Sequence, residues 1–229
     1  MAAAGKSNKS YERNRDESAA MFSNADLKRL IFPLVIEQAL ALTVGMADVM
    51  MVSYAGEAAV SGVSLVDMIN VLLINIFAAL ATGGAVVTAQ YLGARNRKKA
   101  CESADQLMVV TIVISIFIMG LTLLFQRPLL RLFFGAIEDD VMSACITYLW
   151  ISALSYPFLA VYNSCAALFR AMGNSKVSML VSLAMNVINV AGNAFFIFTF
   201  QMGVAGVATA SLISRVAACV IMVVLLSNP

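Results

Sequence analysis

An all-α polytopic membrane protein, a bundle of six transmembrane helices, is the fold class this sequence predicts, and three observations predict it. Apolar residues fill 61% of the 229 positions and charged residues 12%, where soluble domains sit near about 45–50% and about 25%. The charges are gathered in short polar clusters that separate apolar runs of roughly 20 residues, the length that crosses a bilayer as a helix. Lys and Arg are concentrated in alternate clusters, as expected when loops lie by turns on two sides of a membrane.

The elements follow in order. Residues 1–26 carry Lys6, Lys9, Arg13 and Arg15 beside Glu12, Asp16 and Glu17. Without an apolar stretch after its basic start, this segment reads as a polar cytoplasmic tail and not as a secretory signal. Residues 27–229 form one unit with spans at about 30–53, 60–88, 104–126, 141–163, 178–200 and 204–226. Breakers mark their ends: Gly56, Gly93, Arg127-Pro128, Gly173 and Gly203. Pro33 stands at a helix start, where it costs little, and Pro157 should kink the fourth span.

Direction comes from counting Lys and Arg. The tail through Arg29 has six, residues 95–99 have four, and Arg170 and Lys176 add two, making twelve on one side. The other side has Arg127 and Arg131, near Glu138, Asp139 and Asp140. Both termini are therefore expected in the cytoplasm, with the chain in a plasma membrane, bacterial in origin.

Composition excludes several classes. A net charge of +2 is too small to argue for nucleic acid. The chain has no histidine, so the commonest general base and metal ligand is missing. Cys101, Cys145, Cys165 and Cys219 are scattered, without a CxxC pair, and read as free thiols. Asp48 and Asp67 could form a catalytic carboxylate pair, but no catalytic motif surrounds them and no nucleophile is identified, so an enzyme is not expected. No resident cofactor is expected either.

What remains is a set of polar groups inside apolar runs. An ionisable residue in a span costs about 2.5–3.5 kcal/mol on insertion scales, yet Glu37, Asp48, Asp67 and Arg215 are all there. At about 1.5 Å per residue, Asp48, Asp67, Asn189, Asn193 and Ser211 reach a similar depth in the outer half. Asn186, Asn189 and Asn193 fall at i, i+3 and i+7, on one helix face, which should look into the bundle and not at lipid tails. The alternative is that these amides only bond neighbouring helices. Glu37 lies about two turns from the cytoplasmic end and, with Asp67, Asn186 and Arg215, would line the cavity.

Four stretches carry a family resemblance. They are Pro33-Leu34 with Gly45-Met46-Ala47-Asp48-Val49-Met50-Met51-Val52-Ser53, Gly83 through Ala94, Leu168-Phe169-Arg170-Ala171-Met172-Gly173-Asn174, and Asn189-Val190-Ala191-Gly192-Asn193 leading to Gly203 through Ser211. In order and as a set they resemble the N-terminal half of the multidrug and toxic compound extrusion (MATE) transporters. The resemblance implies one lobe of a twelve-helix fold, with the chain stopping at Ser227-Asn228-Pro229, where the family continues into a second lobe. It implies cation-coupled antiport, driven by H⁺ or Na⁺, that exports cationic or amphipathic small molecules. It also implies an ion or proton site at Asp48, Asn189, Asn193 and Ser211, with Na⁺ held by Asp48, Asn189 and Asn193. The family has an aspartate where Asn193 stands and a threonine where Ser211 stands. One carboxylate is thus missing, which leaves protonation of Asp48 as the simpler coupling event. The remaining readings are a lipid-linked oligosaccharide flippase of the same superfamily, a truncated lobe with no independent activity, and a homodimer that replaces the missing lobe. A flippase would want more than Arg215 as cationic lining.

Overall fold

A computed structural model of the chain describes residues 24–227, with side chains from Ile31 onward. The tail expected over 1–26 lies outside the described residues as far as residue 23, and residues 24–26 already belong to the first helix.

Helix α1 (Asn24–Val52) is succeeded by a 3₁₀ turn, Ser53–Ala55. The chain then reverses at Gly56, whose φ of 103° suits a residue without Cβ. Helix α2 (Glu57–Gly93) has 37 residues, about 55 Å at about 1.5 Å each, so it extends beyond a hydrocarbon core of about 30 Å. Helix α3 (Arg97–Leu124) is capped by Asn96, whose side-chain oxygen accepts from the Lys99 amide.

Between the third and fourth spans lies a short helix that the apolar runs did not announce, α4 (Gln126–Phe134). Pro128 falls in its first turn, where proline fits a helix instead of breaking it. The fourth span is two helices, α5 (Asp139–Leu154) and α6 (Tyr156–Ala171), bent by 48° at Ser155. Pro157, expected to kink this span, sits in the first turn of α6. It has no N–H to offer the carbonyl four residues back, so the helix restarts there. Helix α7 (Ser175–Ala194) passes into a π-helical turn, Phe195–Thr199, and α8 (Gly203–Ser227) is the last element of the described residues. Among the described residues five helices are long and apolar enough to cross a membrane, and the bent pair α5–α6, taken as one span, makes six. The expectation of an all-α six-span bundle is met.

Pro33 differs from its expected place. Helix α1 begins earlier than the apolar run does, so Pro33 lies within the helix and leaves one carbonyl of the preceding turn without an amide donor.

Helix α6 is the centre of the bundle. Tyr156, Ala160, Cys165 and Phe169 are buried against Phe77 of α2, Val181 of α7, and Ala218 and Met222 of α8. A second core joins Val63 and Val66 of α2 to Leu149 of α5 and Val207 of α8. By contrast α1 is an outlying helix that rests chiefly on α7. Its Leu42, Met46 and Met50, at i, i+4 and i+8, are 65% exposed or more. Arg95, Arg97, Lys98, Lys99, Arg170 and Lys176 cluster where α1 begins, here called the basic end. Residues 53–56, 125–138 and 200–202 mark the far end.

Candidate ion site and the polar clusters beside it

The three asparagines of α7 do share an inward face: Asn186, Asn189 and Asn193 are all buried. Helix α8 comes close enough to bond them because position 192 is glycine. A Cβ on Gly192 would stand 2.9 Å from the Cβ of Ala210, closer than carbon atoms pack. With that contact allowed, Asn189 Nδ2 donates to Ser211 Oγ at 2.9 Å. Asn193 Nδ2 donates to Asn189 Oδ1 at 3.3 Å and to Asp48 Oδ1 at 2.5 Å. One chain of polar contacts therefore runs from α8 through α7 to the half-buried Asp48 of α1.

Two buried polar atoms of this face have no partner, Asn193 Oδ1 and Asn186 Nδ2. The unpaired Asn193 oxygen, on the amide whose nitrogen bonds the carboxylate, is an acceptor left over, and buried acceptors are rarely left so. The donor set is all oxygen, which suits a hard monovalent cation better than a soft metal. Among the described residues no three of His, Cys, Asp and Glu come together, so a carboxylate-rich divalent site is not built there.

Asp67, placed by depth with these four, has partners of its own. Tyr148 donates its hydroxyl to Asp67 Oδ1 at 3.0 Å, and Asn70 Nδ2 does so at 3.2 Å. Asn70 Oδ1 accepts from Tyr156 at 2.9 Å. Arg215 donates to Ser155 Oγ at 2.5 Å, so it holds the bend between α5 and α6. Sequence reasoning missed Asn70, Tyr148, Tyr156 and Ser155. Only Asn70, three residues beyond Asp67, left a signal in the spacing.

Glu37 belongs to a separate group toward the basic end. Arg170 Nη1 lies 3.9 Å from Glu37 Oε2. Ser178 and Tyr162 approach the carboxylate at 3.4 and 3.5 Å, at the long edge of hydrogen bonding.

Comparison with known proteins decides the family, since the model of the MatE family matches residues 33–195, more than half of the chain. The chain belongs to the MatE family. Asp48, Asn189 and Asn193 fall inside the matched region and Ser211 beyond it. Similar proteins include the "Uncharacterized transporter YisQ" of Bacillus subtilis, 31% identical over 218 residues, covering 93% of this chain and 46% of that protein. The "Probable multidrug resistance protein NorM" of Thermotoga maritima is 27% identical over 197 residues, 83% of this chain and 41% of that one. The chain thus spans about half the length of the curated relatives it matches. Among solved structures, a MOP superfamily transporter from Pyrococcus furiosus superposes with a TM-score of 0.83 at 23% identity, over 89% of this chain and 44% of that one. A multidrug resistance MATE family transporter in an outward-facing conformation gives 0.83 at 22%, over 89% and 45%. The six-helix arrangement is thus that of part of a MatE fold.

Proposed function

We propose that this chain is the N-terminal lobe of a cation-coupled efflux transporter, with Asp48 as the coupling carboxylate. The observation that carries this reading is the buried chain Ser211–Asn189–Asn193, which joins three helices and ends on Asp48. A cation or proton at Asp48 changes what Asn193 can bond, and so favours one packing of α1, α7 and α8 over another. A bound species shifts such an equilibrium only by its differential affinity for the two packings. Two lobes rocking about a shared cavity would convert that shift into alternating access.

A proton is the simpler coupling species, because removing a carboxyl from water disfavours its charged form and Asp48 makes no ion pair among the described residues. Sodium has one observation in its favour, the buried unpaired Oδ1 of Asn193, the amide that bonds the carboxylate. The substrate is a cationic or amphipathic small molecule, drugs among them. The basic end faces the cytoplasm of a bacterium, on the count of twelve cationic residues against two. The exposed face of α1, with Leu42, Met46 and Met50, is where the second lobe or a second copy would pack. The test is efflux of a fluorescent cation from vesicles, driven in turn by a pH and a Na⁺ gradient, in a two-lobed version of the protein. Asp48→Asn is expected to abolish the gradient-driven component, and normal driven efflux in that variant would end the proposal.

A further inference from the structure

A groove of about 370 Å³ opens at the far end between α4 and α5, lined by none of the residues of the polar clusters described above. Arg127 and Arg131, one helical turn apart on α4, line one wall, while Ser143, Ile146 and Thr147 of α5 line the other. Among the described residues neither arginine has a carboxylate within ion-pairing distance. Asp139 also borders the groove, but it lies in the first turn of α5, where the helix N-terminus offsets its charge. The lining residues sum to a formal charge of +1, with two guanidinium groups facing a wall that bears the Ser143 and Thr147 hydroxyls, of which Thr147 donates to the Ser143 carbonyl at 3.0 Å. A guanidinium fork matches phosphate oxygens in pairs.

The surroundings select what brings the phosphate. Helix α4 is anchored by the fully buried Leu130, while its Leu132 and Phe133 are 81% and 51% exposed beside the arginines. Arginine and exposed Leu and Phe on one short helix is the pattern of a helix lying in a membrane interface. Below the groove the face of α5 turns apolar, from Ile146, which lines the groove, to Trp150 one turn on, itself 51% exposed. That face offers an apolar track to an acyl chain, which a free anion would have no use for. We propose that the Arg127/Arg131 groove binds the phosphodiester headgroup of an anionic phospholipid, with an acyl chain lying along α5 toward Trp150. The single negative charge of such a headgroup matches the groove's net charge.

The test is native mass spectrometry of the chain taken from bilayers of mixed phosphatidylglycerol and phosphatidylcholine. The chain is expected to retain phosphatidylglycerol several-fold over its share of the bilayer. The R127Q/R131Q variant should fall to that share, while K98Q/K99Q, at the basic end, should keep the enrichment. Undiminished enrichment in R127Q/R131Q would overturn the assignment, and so would an equal loss in both variants, which marks diffuse attraction. Retention of inorganic phosphate in place of the lipid, when added at millimolar concentration, would make the groove a free-anion site and also overturn it. Should R127Q/R131Q lose its helicity, R127K/R131K keeps the charge without the fork and should lose at least half of the enrichment. No change there would equally refute the site. None of these readouts involves transport, so their failure leaves the coupling role of Asp48 standing, and the reverse.

Discussion

Two carboxylates of α1, Glu37 and Asp48, are eleven residues apart, three helical turns, so they project from nearly the same face. Both meet α7, Glu37 through Ser178 and Asp48 through Asn193. They differ in what balances their charge. Glu37 has Arg170 at 3.9 Å, whereas Asp48 meets the Asn193 amide, which bonds Asn189 in turn and keeps an unpaired oxygen. A carboxylate with a cation beside it is a tie between helices. One whose hydrogen-bond partner is a neutral amide has no such tie, and on the proposed function it is the one open to a proton or cation. The face of the helix is therefore nearly the same for both, and it is their neighbours that differ, which is why the proposed coupling role falls on Asp48.

The largest effect that would break this comparison is the loss of driven efflux. In a two-lobed version, Asp48→Asn should remove it, while Glu37→Gln should retain the greater part, and equal losses would erase the distinction. Next in size is Gly192→Leu. Forcing a side chain into the 2.9 Å gap at Ala210 should cost about 3 kcal/mol, the upper end of overpacking penalties, read as a lowered unfolding temperature with ion response lost. Asn193→Asp adds a second carboxylate to the site and should tighten Na⁺ binding about tenfold, because ligand charge tunes the affinity of oxygen sites. Calorimetric titration would reveal it, and unaltered affinity would mean that Asn193 does not face the ion. A smaller loss is expected at Tyr148→Phe, about 1 kcal/mol for one hydrogen bond to Asp67, measured as thermal stability without a change in ion dependence. The smallest is the stability cost of Glu37→Gln, about 0–1 kcal/mol for a pair with water access.

Much of this was legible in the sequence. The spans could be read because a helix crossing hydrocarbon must be apolar over its own length, a local property. The inward face of α7 could be read for the same reason, since i, i+3 and i+7 asparagines share a face whatever lies opposite. The break at Ser155 was half legible, through Pro157. Helix α4 was hidden because the Arg127-Pro128 pair and Arg131 look like a loop between spans, and its apolar face closes only against α5.

By itself the sequence determined six spans, a charge bias between the two ends, and which residues were polar where polarity is costly. Tertiary structure alone decided their partners. Asp48 joins Asn193 across 145 positions, Glu37 meets Ser178 across 141, Asp67 meets Tyr148 across 81, and Arg215 reaches Ser155 across 60. Five residues of similar depth thus divide into a chain of amides ending on Asp48 and a separate tyrosine-bound Asp67. The physical reason is that hydropathy sets depth along a helix axis, while rotation and packing against neighbours set which polar atoms come within 3 Å. Gly192 marks the difference: in the sequence it is one more small residue in a span, and in the fold it is the gap that lets Asn189 touch Ser211.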